Sequence, residues 1–332
     1  MNSNIVTWVL SALSSLQNEA VVSPFEFKGD KENEFLIFFK PEVFFSADEA
    51  LIGESINMTL DKLTQNDIEV NWAILFTGSR LAELEIMDRH YGFINKVSKN
   101  ISKIATAEEK EKMYDVLEIS NPEEYEILGG HEFLAANPDF DEESLDALWQ
   151  TKKSARVRSG FYAQKFDINW KNVILVNAFH PVQLKHYTNP THKTVVLLCS
   201  SDRAWNELKD KVAWDTFPEK SVPESVRGEF FANKEKYGLK EVSISFNCVH
   251  MSAGAFEAGF EIDNFLKNVS ASAYAPTKTN LYNKILAAGL TDEDKIMNFL
   301  TNPKNSEGQS LFDVTENINT IPAVNVFVSD FN

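Results

Sequence analysis

The chain has 332 residues, two cysteines and a formal net charge of −17 at pH 7. This length is about twice that of a typical domain, so the chain can bury a large core and carry added subdomains. The negative charge argues against non-specific binding to nucleic acid or to anionic membranes, because both require a basic surface. Residues 107–147 alone contain fourteen Asp and Glu against two Lys, which is typical of a solvated face.

The two cysteines and the N-terminal segment indicate the cellular compartment to expect. Cys199 and Cys248 lie in separate apolar, strand-like segments, which predicts no disulfide framework and a reducing environment. The N-terminal segment has no basic flank, and its apolar residues recur at helical spacing, which favours an amphipathic docking helix over a signal peptide. We expect a cytoplasmic protein that binds neither membranes nor nucleic acid.

The first hundred or so residues predict alternating strands and helices. An apolar run over residues 35–39 predicts a strand that ends at Lys40. A helix is predicted over residues 47–64 and a strand over 69–76. A second helix begins near Leu81 and carries Tyr91.

The middle of the chain has its own helix-start signals and predicted strands. Thr106 and Glu109 form a capping-box pattern that opens a helix toward Leu117, and Asp141 opens another toward Trp149. Residues 161–168 and 173–176 predict strands. A helix that begins at Phe179 and a strand over residues 194–199 follow.

The last third of the chain predicts a strand followed by a helix. Val242, Ile244 and Phe246 alternate and predict a strand that ends near Asn247. Residues 252–265 predict a helix with its phenylalanines on one buried face. Beyond it, helices are predicted over residues 280–288 and 291–300, and a final strand over residues 323–328.

The junction between that strand and helix carries the strongest chemical signal. His250 lies there, and Glu261 follows eleven residues later. A carboxylate can hold one ring nitrogen of a histidine and leave the other for reaction. A lone histidine is more often a hydrogen-bonded core side chain, so the assignment depends on the motifs that accompany it.

Four motifs occur in one order along the chain. They are Lys40-Pro41-Glu42 after an apolar strand, Lys211-Val212-Ala213-Trp214-Asp215-Thr216-Phe217-Pro218, Val226-Arg227-Gly228-Glu229-Phe230, and Asn247-Cys248-Val249-His250-Met251-Ser252 followed by Glu261-Ile262. Together they resemble the nucleoside diphosphate kinase family. Enzymes of that family are phosphotransferases in which a histidine takes a phosphoryl group from a nucleoside triphosphate and passes it to a nucleoside diphosphate.

The resemblance implies a role for each motif residue. His250 is the expected nucleophile, and Glu261 orients it. The other expected nucleotide-binding residues are the cations Lys40, Lys211 and Arg227, the uncharged donors Thr216, Asn247 and Ser252, and the aromatic residues Tyr91 and Phe179. Mg²⁺ is expected on the nucleotide phosphates, with no protein metal ligand.

Three departures from the family pattern bear on rate and substrate preference. Lys211 stands where the family has arginine, so the charge is kept but the planar fork that grips phosphate is lost. Met251 and Ala253 replace the family's glycine and aspartate.

The resemblance also implies a fold and a domain order. The expected core is a ferredoxin-like α/β (α+β) sandwich with a four-stranded antiparallel sheet, formed by residues 29–95 and 173–266. Residues 1–28 form an N-terminal helical segment, residues 96–172 a mixed acidic insert that separates Tyr91 from Phe179, and residues 267–332 a C-terminal extension.

Two other functions fit the same residues. The chain could be a non-catalytic or weakly catalytic nucleotide-binding or scaffolding module on this fold, or a phosphotransferase for another acceptor. Retention of His250 with its partners favours the enzyme. The base preference and the assembly state, a homo-oligomer included, stay open.

Overall fold

The computed structural model describes residues 2–13, 19–21, 30–168, 170–213, 215, 217–269 and 274–331. The chain divides into two compact units. The first unit comprises Met1–Leu84 and Pro190–Asn332, and the second comprises Glu85–Asn189. No helix in the described ranges combines the length and apolar character needed to cross a membrane.

The first unit contains an antiparallel sheet with helices. Its strands are β1 (Glu19–Val21), β2 (Asn33–Phe39), β3 (Glu69–Thr77), β8 (Lys193–Ser201) and β9 (Val249–Met251). Its helices, numbered along the whole chain, are α1 (Asn2–Leu13), α2 (Glu49–Gln65), α3 (Gly78–Glu83), α10 (Trp205–Val212), α11 (Val226–Ala232), α12 (Ala255–Leu266), α13 (Asn280–Ala287), α14 (Glu293–Met297), α15 (Leu311–Thr315) and α16 (Thr320–Asp330).

The strand order of this sheet confirms the predicted ferredoxin-like sandwich. Within the described residues the order is β1-β3-β8-β2-β9, and every neighbouring pair is antiparallel. Strands β2 and β3, joined through α2, therefore run parallel with β8 between them. Strands β8 and β9, joined through α10 and α11, enclose β2 in the same way, which gives two interleaved split βαβ units. The short β1 adds an edge strand to the expected four.

Strand β2 lies in the middle of this arrangement and is buried along its whole length. Ile37 and Phe39 pack in one core with Ile56 of α2. Side chains alternate between the faces of a strand, so Phe38 points the other way, where its ring lies 5.6 Å from that of Phe265 in α12. A strand covered on both faces appears in the sequence as an unbroken apolar run, which is why β2 was predictable.

The N-terminal helix docks on the same core, as predicted. Ile5, Val6 and Val9 of α1 are buried and belong to the cluster that contains the apolar face of α2. Gly53 of α2 allows this approach, because a Cβ atom there would lie 3.2 Å from Leu10.

Two strand predictions were wrong. The chain bends at residues 243–245 and forms no strand over residues 242–246, and the strand forms later, as β9, with His250 at its centre. Its partner β2 ends at Phe39, and Pro41 starts a 3₁₀ turn (Pro41–Phe44), so no strand remains for residues 242–246 to pair with. The predicted strand 323–328 lies inside α16, where Ala323, Val324 and Phe327 form the buried side of the helix.

The second unit has its own mixed sheet. Its strands are β4 (Tyr125–Gly129), β5 (Ala155–Arg158), β6 (Phe161–Ile168) and β7 (Lys171–Val176), and its helices are α4 (Ile86–His90), α5 (Gly92–Ile104), α6 (Ala107–Val116), α7 (Gly130–Ala136), α8 (Glu142–Gln150) and α9 (His180–Thr188). In the described part of this unit the order is β4-β7-β6-β5, with only β4 and β7 parallel.

Most predicted elements of the second unit are confirmed. The capping boxes of Thr106 and Asp141 open α6 and α8, and β6 and β7 match the predicted strands. The continuous helix predicted from Leu81 through Tyr91 is wrong. It is interrupted at Glu85, whose φ of 50° is left-handed, and again at Tyr91.

The contact between β2 and the start of α13 generates a prediction about stability. Glu34 is 6% exposed and accepts a hydrogen bond of 3.1 Å from the backbone N–H of Asn280. Burial raises the pKa of Glu34 from 4.5 to about 7, although the Asn280 bond and Lys284 oppose this. Between these two values the unfolded chain releases a proton that the folded protein retains, so stability falls as pH rises.

We expect Glu34→Gln to abolish this pH dependence, because glutamine can accept the same hydrogen bond without a charge. Relative to this variant, the parent should lose about 3 kcal/mol of unfolding free energy between pH about 4.5 and about 8. Urea unfolding of both proteins across this range measures the difference. A difference in unfolding free energy between the two proteins that stays constant across this pH range would mean that folding does not change the pKa of Glu34.

Candidate active site

His250 lies in the centre of the edge strand β9, opposite Phe38 of β2. The two rings stack with their centroids 4.4 Å apart and an interplanar angle of 18°. The histidine side chain is 20% exposed. The neighbouring strand therefore fixes one face of the ring while part of the side chain reaches solvent.

A buried polar chain holds one edge of the His250 ring. Its Nε2 atom lies 2.7 Å from Oε1 of Glu261, whose side chain is fully buried. The Ser252 hydroxyl donates to the other carboxylate oxygen of Glu261, and the backbone N–H of Leu36 donates to that hydroxyl over 3.0 Å. A carboxylate at Nε2 favours the tautomer that carries its proton there, which gives Nδ1 the lone pair.

The backbone just before β9 is strained. Cys248 has a φ of 67°, and Val249 N–H donates to the carbonyl of Asn247 over 2.7 Å, which closes a γ-turn of the rare left-handed kind. Such a conformation costs about 1–3 kcal/mol and persists only when the surroundings hold it.

Residues directly after β2 hold this turn in place. The Cys248 N–H donates to Oε1 of Glu42 over 2.7 Å, and its carbonyl accepts from the Lys40 N–H over 2.8 Å. Both polar groups of Cys248 are thus bound by the Lys40-Pro41-Glu42 segment. The Cys248 thiol itself is fully buried, and burial raises its pKa well above the usual range, so it is inert.

Two buried cations lie beside this turn. Lys40 and Arg227 are each 7% exposed. Burial lowers the pKa of Lys40 to about 8, while nearby Glu42 opposes this shift and Arg227 reinforces it. The Lys40 ammonium group makes no hydrogen bond or ion pair with any residue that the structure describes. A buried cation in this state is a ready partner for an anion.

Arg227 connects two segments of the site. Its guanidinium donates to the Asp215 carbonyl and, over 2.8 Å, to the Val249 carbonyl in β9. The adjacent Gly228 cannot be replaced without moving backbone, since a Cβ atom there would lie 1.9 Å from the Val222 carbonyl oxygen. The Arg-Gly pair therefore places the guanidinium where α11 begins.

The remaining predicted residues of the first unit have mixed positions. Asn247 is 5% exposed and donates to the Ile244 carbonyl over 3.1 Å, and its Oδ1 atom has no hydrogen-bond partner among the described residues. Lys211 is exposed in the last turn of α10, and no hydrogen bond or ion pair within the described ranges joins it to the other site residues. Trp214 and Thr216 lie outside the described residues.

Tyr91 and Phe179 belong to the second unit. The Tyr91 hydroxyl lies 3.4 Å from that of Tyr187. Phe179 is half-buried, and its ring centroid lies about 6 Å from those of Trp149 and Tyr162. Their predicted roles near the nucleotide stay predictions.

The geometry assigns roles that the sequence did not reveal. Glu42 was recognised within the Lys-Pro-Glu motif but was given no role. Ser252, predicted to bind phosphate, has its hydroxyl on Glu261. The sequence signal for Glu42 was an acidic residue directly after Lys-Pro, whereas the contact of Ser252 depends on how α12 places Glu261.

Comparison of the chain with protein-family models, with curated proteins and with solved structures found no match. The likeness to nucleoside diphosphate kinases therefore remains a resemblance of motif residues.

The contact between Glu42 and Cys248 generates a prediction. Glu42→Ala leaves the buried Cys248 N–H without an acceptor, so we expect a loss of about 1–3 kcal/mol in unfolding free energy. Glu42→Gln keeps an acceptor and should cost less. Both variants remove the negative charge beside Lys40, so the Lys40 ammonium should titrate below pH about 8 in each.

Denaturant unfolding and NMR titration of the Lys40 side chain test the two effects separately. Equal stability of the alanine variant and the parent would contradict the role of Glu42 in holding the turn. An unchanged Lys40 titration would contradict its electrostatic role.

Proposed function

We propose that this protein is a nucleoside diphosphate kinase, which moves the γ-phosphoryl group of a nucleoside triphosphate to a nucleoside diphosphate through a phosphohistidine on His250. One observation carries the proposal. His250 is held at Nε2 by a buried carboxylate, and the turn that precedes it is bound by two residues with buried cationic side chains, Lys40 through its backbone and Arg227 through its guanidinium. The order of the four motifs supports the same assignment.

In the first half-reaction, Nδ1 of His250 attacks the γ-phosphorus in line with the leaving oxygen. The N–P bond forms as the bond to the diphosphate breaks, and the electron pair stays on the diphosphate. The proton on Nε2 remains hydrogen-bonded to Glu261, which offsets the positive charge that develops on the ring. In the second half-reaction a diphosphate oxygen attacks phosphorus, and the electron pair of the N–P bond returns to Nδ1.

Charge compensation is assigned to Lys40 and Arg227, since phosphoryl transfer depends on stabilising the charge of the transferred oxygens. Asn247 Oδ1 would accept a hydrogen bond from a nucleotide hydroxyl. The positive charges of Lys40 and Arg227 attract phosphate and repel a divalent cation, so Mg²⁺ would be held by nucleotide phosphates and water. When bound, it would neutralise part of the negative charge on the phosphate groups.

The second candidate is a nucleotide-binding or scaffolding module. It would account for the buried cations, but it would not need the chain of hydrogen bonds from Ser252 through Glu261 to His250. That chain favours the enzyme. We place the activity in the cytoplasm as part of this proposal.

Labelling with ATP that carries radioactive phosphorus at the γ position tests the proposal. The parent should form an acid-labile, base-stable phosphoprotein, because the bond is to a histidine nitrogen. His250→Ala should form none and should keep its fold and its nucleotide binding. His192→Ala, which removes another partly exposed histidine of the first unit, is the matched control and should label normally.

Discharge of the label identifies the acceptor. Added nucleoside diphosphates should remove it and yield labelled triphosphates. Label uptake by His250→Ala at the parent's rate would refute the mechanism, and a phosphoprotein that no diphosphate discharges would point to another acceptor. Nucleotide binding without any labelling would favour the scaffolding module.

The cations generate a separate prediction. Lys40→Ala and Arg227→Ala should each lower phosphoryl transfer by about 100-fold or more, as loss of a transition-state donor does elsewhere. Lys211→Ala should cost less, because Lys211 is exposed. Equal and negligible effects of all three would place the phosphates elsewhere.

The lowered pKa of Lys40 also predicts a pH profile. In the unliganded enzyme the ammonium loses its proton above pH about 8, so kcat/KM, which reports on free enzyme, should fall above that pH. Lys40→Arg should remove this alkaline limb, because arginine keeps its charge. An alkaline limb that persists unchanged in the arginine variant would assign it to another group.

A further inference from the structure

The second unit contains a surface pocket with a volume of about 410 Å³. Its walls come from the end of α6, from the segment between α8 and β5, and from β6. This volume lies within the range of small-molecule sites, which is roughly 300–1,000 Å³. None of its lining residues belongs to the site proposed above.

The pocket is positively charged in a strongly acidic chain. Lys152, Lys153 and Lys165 line it, against one carboxylate, Glu118. The surrounding stretch, residues 151–171, carries six Lys and Arg and one Asp, whereas the whole chain has a net charge of −17. A small anion would meet a local attraction here that most of the surface does not offer.

Two of the three ammonium groups are held in place. Lys152 Nζ donates to the Lys165 carbonyl over 2.7 Å and lies 4.3 Å from the centroid of the Phe166 ring. Lys165 Nζ donates to the Leu117 carbonyl over 2.7 Å and to the Glu118 carbonyl over 3.4 Å. An ammonium group has three hydrogens, so each lysine keeps at least one donor for a ligand. Side chains that are already ordered lose less entropy when they bind.

The pocket also contains a buried acceptor that lacks a donor. Gln164 is 2% exposed, and its Nε2 atom donates to the carbonyls of Trp149 and Lys152 over 3.0 and 3.2 Å. These two bonds fix the orientation of the amide. Its Oε1 atom has no hydrogen-bond partner in the described part of the chain. A ligand that brings an O–H group would satisfy it.

We propose that this pocket binds a small phosphate monoester that also carries a hydroxyl group. The phosphate contacts the ammonium groups of Lys152, Lys153 and Lys165, since lysine recognises phosphate as a compact charge. The hydroxyl group donates to Gln164 Oε1. The proposal concerns the second unit alone and does not rest on the proposed kinase activity.

Amide chemical shifts of the full-length protein, titrated with glycerol 3-phosphate, test the proposal. The amides of Leu117, Lys153, Ala155 and Gln164 should shift and saturate together. Methyl phosphate has the charge but no hydroxyl group, and it should bind several-fold more weakly. Glycerol has the hydroxyl groups but no charge, and it should cause no saturable shift.

A pair of charge variants separates the pocket from the general field of the protein. Lys153→Glu should weaken binding by about tenfold or more, as close charge reversal does. Lys171→Glu changes charge equally at an exposed residue of β7 that does not line the pocket, and it should change affinity little. Equal weakening by both variants, equal affinity for the two phosphate esters, or shifts that never saturate would each overturn the proposal.

Discussion

The position of His250 depends on two hydrogen bonds that the segment after β2 makes with the backbone of Cys248. Glu42 takes the N–H of this residue and the Lys40 N–H binds its carbonyl, so a left-handed conformation is held from two directions. The γ-turn redirects the chain into β9, where pairing with β2 brings the imidazole against Phe38. The same three-residue segment also provides the buried ammonium of Lys40. Backbone geometry and electrostatics of the site therefore have a common source.

Rigidity characterises the other side of the histidine. Glu261 has each carboxylate oxygen bound, one by the ring and one by Ser252, and Ser252 is in turn fixed by the backbone of β2. Such a chain leaves the imidazole little freedom to rotate. Arg227 joins β9 to Asp215 through its contacts with the carbonyls of Val249 and Asp215. A reactive nitrogen supported in this manner needs little reorganisation during the reaction.

Local patterns made much of the fold predictable. The apolar run of β2 and the capping boxes of α6 and α8 are signals that a few neighbouring residues contain. The elements that were missed depend on distant residues. Strand β9 could not be located because its bounds follow from where β2 ends. Helix α16 was mistaken for a strand because residues 323–328 are an apolar run rich in valine, a residue that favours strands. The site residues divide in the same way between local and distant causes. His250 and Glu261 were recognised from their spacing in the sequence, whereas the roles of Glu42 and Ser252 follow from strand pairing and helix packing.

The position of the second unit along the chain has a consequence for folding kinetics. Strand β8 pairs with both β2 and β3, yet the entire second unit is synthesised between β3 and β8. During synthesis the first two core strands therefore emerge without the strand that joins them. Closing a loop of this length is slow and entropically costly. Within the second unit, Tyr91 and Tyr187 lie in contact near its two ends, so folding of this unit first would convert a long flexible loop into a short connection and hasten assembly of the sheet.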